Sequence, residues 1–139
     1  MQPSFELFDH TADMGIRVHA ATLPGLLAPA GEALYAVIGE LVAAAESKPV
    51  TFNLTGDDPA ELLRDYLTEL LTLFDRDALR FTSVDVHSFD ERRLSVTVHT
   101  AHLDKERSSF LREVKAITYH QLAIRPVPGG YEATVIVDI

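Results

Sequence analysis

The chain contains no cysteine. A disulfide framework and a thiolate metal site are both excluded. No apolar run is long enough to span a bilayer. Met1-Gln2-Pro3-Ser4 leads straight into a strand pattern, without the basic and apolar regions of a signal peptide. The expectation is a cytoplasmic protein. Basic residues are scarce: Lys and Arg total 12 against 21 Asp and Glu, a formal net charge of −9. Those present are scattered, as Arg76 and Arg80, Arg92 and Arg93, Lys105 and Arg107, Arg112 and Lys115. A protein that grips nucleic acid by itself shows a basic face, so direct nucleic acid binding is not expected. An acidic surface suits a metal ion or a basic protein partner.

The familiar enzyme signatures are missing as well. The seven glycines are dispersed and form no phosphate-cradling loop. There is no Gly-x-Ser-x-Gly elbow and no His-Glu-x-x-His helix. No repeat or low-complexity tract occurs, and 139 residues suit one domain spanning 1–139.

What is present centres on Asp9-His10-Thr11-Ala12-Asp13-Met14-Gly15. Phe5 and Leu7 alternate with Glu6 before it; Ile16, Val18 and Ala20 alternate with Arg17 and His19 after it. The polar cluster is expected in a connection between two strands. It reads either as a site on a loop or as a capped turn in which Gly15 takes a positive φ.

Thr22 to Leu41 carries a helical apolar period, with Thr22 as the N-cap and Pro24 in the first turn. Pro29 would bend this helix or shift its start. Ala43 to Pro49 reads as a linker, and Val50, Phe52 and Leu54 as a half-buried strand. Asp58 and Pro59 announce a second helix reaching about Arg76, with Leu63, Leu67, Leu70 and Phe74 as its core stripe. Its acidic residues Glu61, Asp65 and Glu69 form a solvated face.

Phe81 to Phe89 and Leu94 to Leu103 read as a hairpin across Asp90–Arg93. His99 and His102 are structural, since residues three apart on a strand face opposite sides. Asp104 to Phe110 is polar and irregular. Glu113 to Arg125 and Tyr131 to Ile139 are two strands around Pro128-Gly129-Gly130. The class is α+β: a mostly antiparallel sheet with two main helices packed on one side.

Two further polar spots stand out. Lys115 lies among apolar neighbours; it is either partly buried with a carboxylate partner or snorkels to water. At the other, Asp138 sets its carboxylate beside the α-carboxylate of Ile139. Adjacent carboxylates repel unless a cation joins them, and hard oxygens suit Ca²⁺, Mg²⁺ or Mn²⁺.

Four blocks together resemble the archease family: Asp9-His10-Thr11-Ala12-Asp13-Met14-Gly15-Ile16; Leu62-Leu63 through Leu70-Leu71-Thr72-Leu73-Phe74-Asp75; Val114-Lys115-Ala116-Ile117-Thr118-Tyr119-His120-Gln121-Leu122; and Val137-Asp138-Ile139. They span the chain in the family's order. Two departures are visible. The family has a His near Asp-x-x-Arg-His, where Asp104-Lys105-Glu106-Arg107 is followed here by Ser108. The Gly common after Tyr-His is Gln121.

The resemblance implies an accessory protein for an RtcB-type RNA ligase, promoting its guanylylation and repeated turnover in tRNA splicing or RNA repair, and not itself an enzyme. It implies a divalent-metal site of Asp13, Asp138 and the Ile139 carboxylate, with Ca²⁺ favoured and Mg²⁺ or Mn²⁺ as alternatives. It implies an essential Lys115, with His10 and His120 as supporting residues. Two other readings are a small metal-dependent hydrolase using Asp13 and Asp138, and a chaperone-like module for RNA-modifying enzymes.

Overall fold

The structure, a computed structural model, describes all 139 residues. The chain runs β1 (Ser4–His10), β2 (Asp13–Ala20), a short 3₁₀ turn (Pro24–Leu26), α1 (Leu27–Ile38), β3 (Gly39–Glu40), β4 (Ala43–Glu46), β5 (Val50–Thr55), α2 (Pro59–Asp77), β6 (Leu79–Phe89) and β7 (Arg93–Leu103). It ends with β8 (Ser109–Phe110), β9 (Ala116–Ile117), β10 (Ala123–Val127) and β11 (Gly130–Asp138). All strand pairs are antiparallel. The α+β class with two main helices is as expected.

The strands form three sheets. A five-stranded sheet has the order β1-β2-β11-β10, with β9 also on β11. A four-stranded sheet has β4-β7-β5, with β6 also on β7. β3 and β8 form a short ribbon. α1 packs on β1 and β2 and reaches β6; α2 packs on β5, β6 and β7 and reaches β9 and β10. The helical layer thus serves both large sheets, and 33 buried residues make one continuous core.

The elements follow from local chemistry. Asp58 accepts a hydrogen bond from the Glu61 N–H at 2.9 Å, and Pro59 stands at the first helical position. Such a cap contributes about 1 kcal/mol. Leu62, Leu63, Tyr66, Leu67, Leu70, Leu71 and Leu73 are the buried side of α2. Tyr66 is fully buried, and its hydroxyl donates to the Leu27 carbonyl at 2.9 Å, tying the helices together. Burial of that phenol pushes its pKa well above the usual tyrosine value.

Three expectations are corrected here. The first helix begins at Leu27, not Thr22. Thr22 Oγ1 instead accepts from the Gly25 N–H at 3.1 Å at the 3₁₀ turn, and Pro29 falls in the first turn of α1, where its missing N–H leaves no gap. The supposed linker holds β4, which pairs with β7 across an irregular register. The supposed strand from Glu113 to Arg125 is broken. β9 pairs Ala116 with Asp138, whereas β10 pairs Ala123 with Thr134, so three extra residues lie between them. The excess is taken up by a turn at Tyr119–Gln121, with Gln121 at φ 51°.

On the five-stranded sheet, Met14, Ile16 and Val18 pair with Val137, Val135 and Ala133 and face the core. The opposite face carries polar rows, one of which is an ion-pair network. Glu132 accepts from His19 Nε2 at 2.8 Å and from Arg125 Nε at 2.9 Å. The bond from His19, then that from Arg125, hold the Glu132 carboxyl below the usual range. A carboxyl depressed on folding adds stability at neutral pH, and that stability is lost as pH falls through the folded value. Glu132→Gln should therefore lower stability near neutrality, and the gap to wild type should close towards about pH 3. Urea unfolding at both pH values checks this; a gap of equal size at each would rule the network out as its source.

Candidate functional site

The polar stretch from Asp9 to Gly15 is mostly strand. The β1–β2 hairpin turns on Thr11 and Ala12 alone, and Ala12, not Gly15, carries the positive φ, at 65°. Gly15 is needed for a different reason: a Cβ there would collide with the Phe8 ring opposite it.

This tight hairpin fixes the site. Directly opposed residues of antiparallel strands share a face of the sheet. His10 opposes Asp13 across β1–β2; Asp13 opposes Asp138 across β2–β11; Asp138 opposes Ala116 across β11–β9. One row therefore reads His10, Asp13, Asp138, Ala116. Asp9 opposes Met14 and points to the other face. Residues 125 positions apart, Asp13 and Asp138, become nearest cross-strand neighbours by backbone pairing alone.

Lys115 comes to the same end. Its N–H donates to the Asp138 carbonyl at 2.7 Å, and one more step of the β9–β11 register sets it opposite Ile139. Of the two readings of Lys115, partial burial is not met and the exposed lysine is. Val114 and Ile117 turn into the core, while Lys115 and Ala116 are exposed. Lys115 takes part in none of the eight ion pairs, so its ammonium is free.

His10 is held by one hydrogen bond. Gln121 donates from its amide nitrogen to His10 Nε2 at 3.1 Å. His10 Nδ1 is buried without a hydrogen-bond partner and lies 4.0 Å from Asp13 Oδ2. With Nε2 accepting, the ring proton sits on Nδ1, towards the Asp13 carboxylate. An orphaned buried nitrogen facing a carboxylate marks a place where a further polar group is wanted. His120 stands exposed on the same turn; its N–H donates to Thr118 Oγ1 at 3.1 Å.

One contributor carried no sequence signal. Arg64 of α2 donates to the Ile117 carbonyl at 3.0 Å and lies 4.2 Å from the Tyr119 ring centre, pinning the turn that delivers Gln121. Only the folded register could reveal either contact. The other histidines lie elsewhere: His99 bonds Asp85 Oδ2 at 2.7 Å and His87 bonds Thr97 Oγ1 at 2.8 Å, both on the four-stranded sheet. His102, on β7, is exposed.

No three His, Asp or Glu side chains stand close enough to chelate an ion by themselves. The two aspartates offer two hard carboxylates on one face, and a cation held there needs a further oxygen donor. The Ile139 carboxylate is the adjacent candidate.

The sequence profile of the Archease protein family matches residues 5–139. The chain belongs to the archease family. It is 31% identical over 138 residues to the protein archease of Methanopyrus kandleri, covering 97% of this chain and 99% of that one. The archease of Methanothermobacter thermautotrophicus is 34% identical over 141 residues, covering 97% and 98%. Among solved structures, protein 1598 of Methanobacterium thermoautotrophicum has a TM-score of 0.77 at 31% identity over 100% of both chains. An archease from Thermotoga maritima, described as a possible chaperone, has a TM-score of 0.66 over 96% of each chain; at 16% identity that likeness speaks for the fold.

The two departures from the archease pattern now have physical readings. Ser108 Oγ accepts from the Val42 N–H at 2.8 Å and pins the loop after β7, so its work here is structural. Gln121 occupies a left-handed conformation that glycine adopts freely, at a cost of roughly 1–2 kcal/mol for another residue. Its bond to His10 offsets that cost. Gln121→Gly should consequently leave stability within about 1 kcal/mol of wild type, while releasing the His10 tautomer. Long-range ¹H–¹⁵N spectra should show Nδ1-protonated His10 in wild type and a mixture in the variant. An Nε2-protonated ring in both would overturn the assignment.

Proposed function

We propose that this chain activates an RtcB-type RNA ligase, promoting its guanylylation and repeated turnover, as in tRNA splicing or RNA repair. Membership of the archease family supports the reading, and the observation that carries it is the cross-strand pairing of Asp13 with Asp138. Two carboxylates held side by side repel unless a cation joins them. Asp13, Asp138 and the Ile139 carboxylate would hold a divalent ion, with Ca²⁺ favoured and Mg²⁺ or Mn²⁺ fitting the same hard donors. The ion, when bound, supplies a concentrated positive charge.

The chain's own residues do the rest. Pairing on both edges of β11 keeps the two aspartates and Lys115 in fixed register. His10 faces Asp13, and His120 stands at the exposed turn beside it. The exposed Lys115 ammonium is free to meet a phosphate or carboxylate of a partner. In this reading the protein docks this end against the ligase's nucleotide and metal centre, and contributes no covalent step of its own. No helix is long and apolar enough to cross a membrane.

The test is guanylylation of a cognate ligase with and without the protein. Asp13→Asn and Lys115→Ala should each reduce the stimulation by at least about tenfold, with thermal melting little changed, since neither removes core volume. A C-terminal extension converts the Ile139 carboxylate to an amide and should weaken Ca²⁺ binding by calorimetry, whereas an N-terminal tag of equal size should not. Full stimulation by both variants, with normal melting, would sink the site assignment. Equal Ca²⁺ binding by both tagged forms would remove Ile139 from it.

A further inference from the structure

The segment Phe110–Glu113, before the Lys115 strand, forms one wall of a groove of about 380 Å³ lined by Ile38, Phe74, Phe110, Leu111, Arg112 and Glu113. Its apolar residues are unusually open: Leu111 is 69% exposed and Phe110 is 55% exposed. This exposure is built, not frayed. The N–H groups of Leu111 and Arg112 both donate to the Ile38 carbonyl, at 2.7 and 3.1 Å, capping the end of α1. Phe110 pairs with Gly39 in the β3–β8 ribbon, and its ring lies 6.3 Å from that of Phe74. A Cβ at Gly39 would run into the Ser109 backbone, so the ribbon is closely seated. An open leucine and phenylalanine on a fixed backbone have the character of a pre-organised docking surface.

The charges around the groove choose its occupant. Arg112 donates its guanidinium to the Val37 carbonyl at 3.0 Å, and nearby Arg76 is paired with Asp77 at 3.0 Å. Glu113 on the groove wall and Asp75 beside Phe74 belong to no ion pair. They sense each other: partial burial first, and the Glu113 charge second, raise the Asp75 carboxyl above its usual range. Arg112 keeps its charge on the neutral Val37 carbonyl, so the rim carries two unpaired carboxylates against one unpaired guanidinium, a net negative charge beside an apolar floor. A second copy of this chain would bring a further −9 of like charge. An anionic lipid surface or a nucleic acid would meet the same repulsion.

We propose that this groove docks a protein segment presenting an apolar side chain flanked by lysine or arginine. The apolar side chain fills the space between Ile38, Phe74 and Leu111. The flanking cations pair with Asp75 and Glu113 and end their mutual repulsion. This contact does not depend on the Asp13–Asp138 end, and its test needs no ligase, so failure of either leaves the other standing.

The ¹⁵N-labelled chain would be titrated with a short acetylated peptide of alternating leucine and lysine. Control peptides would carry glutamate for lysine, or serine for leucine. Saturable shifts are expected at Ile38 and at Phe110 to Glu113, with roughly tenfold weaker binding for each control. Leu111→Ser, at an exposed position that leaves the core intact, and the double variant Asp75→Asn, Glu113→Gln should each weaken the leucine–lysine peptide to a similar extent. Melting curves would verify their folding. Three results would overturn the proposal: no saturable shift in this segment, equal affinity in Leu111→Ser, or self-association through Phe110 and Leu111 in sedimentation of the free protein.

Discussion

The pairing of β2 with β11 is the constraint on which the rest of the molecule depends. It joins the second strand to the last over eight residue pairs, from Tyr131 opposite Ala20 to Asp138 opposite Asp13. One face of this ladder supplies Met14, Ile16, Val18, Val135 and Val137 to the core. A slip of one residue would exchange that face for the polar one. The hydrophobic core therefore enforces the register that sets two carboxylates side by side, and the site inherits its geometry from the packing of aliphatic side chains on the reverse of the same sheet.

The remaining parts are attachments to this ladder. β1 adds His10 through a turn short enough to require Ala12 in a left-handed conformation. β9 adds Lys115 through a backbone bond to Asp138. The three-residue excess between β9 and β10 releases the turn that carries Gln121 back to His10, and Arg64 of α2 holds that turn down. The acidic end and the apolar groove share one strap of chain. Residues 110 to 113 bond to the end of α1 and line the groove, and two residues further on Lys115 stands opposite Ile139.

Much of this was legible in the sequence where the determinants are local. The Asp58 cap, the Pro59 start and the leucine spacing of α2 each act within a turn or two, and that helix stands almost where it reads. Thr22 to Leu26 misleads because its capping and proline signals serve a 3₁₀ turn equally well. β4 is invisible because Ala43-Ala44-Ala45-Glu46 has no alternation and every residue of it is exposed. The break between β9 and β10 is hidden because no glycine or proline punctuates Val114 to Arg125; only the partner strand reveals the change of register. The apolar neighbours of Lys115 left burial and exposure both open; Val114 and Ile117 turn inward and leave it outside. Asp13, Asp138 and Lys115 were legible as candidates through family resemblance. Their convergence was not, since cross-strand adjacency belongs to the folded chain.

The same long-range ladder sets a temporal order. β2 leaves the ribosome early, and β11 only after the helices and all four strands of the other sheet. Contacts of such high sequence separation form late because the intervening chain must first be organised. Until residues 130–138 are free to pair, Asp13 has no acidic neighbour and Lys115 has no anchor on Asp138. The acidic pair is thus assembled only on a chain that has already folded around it.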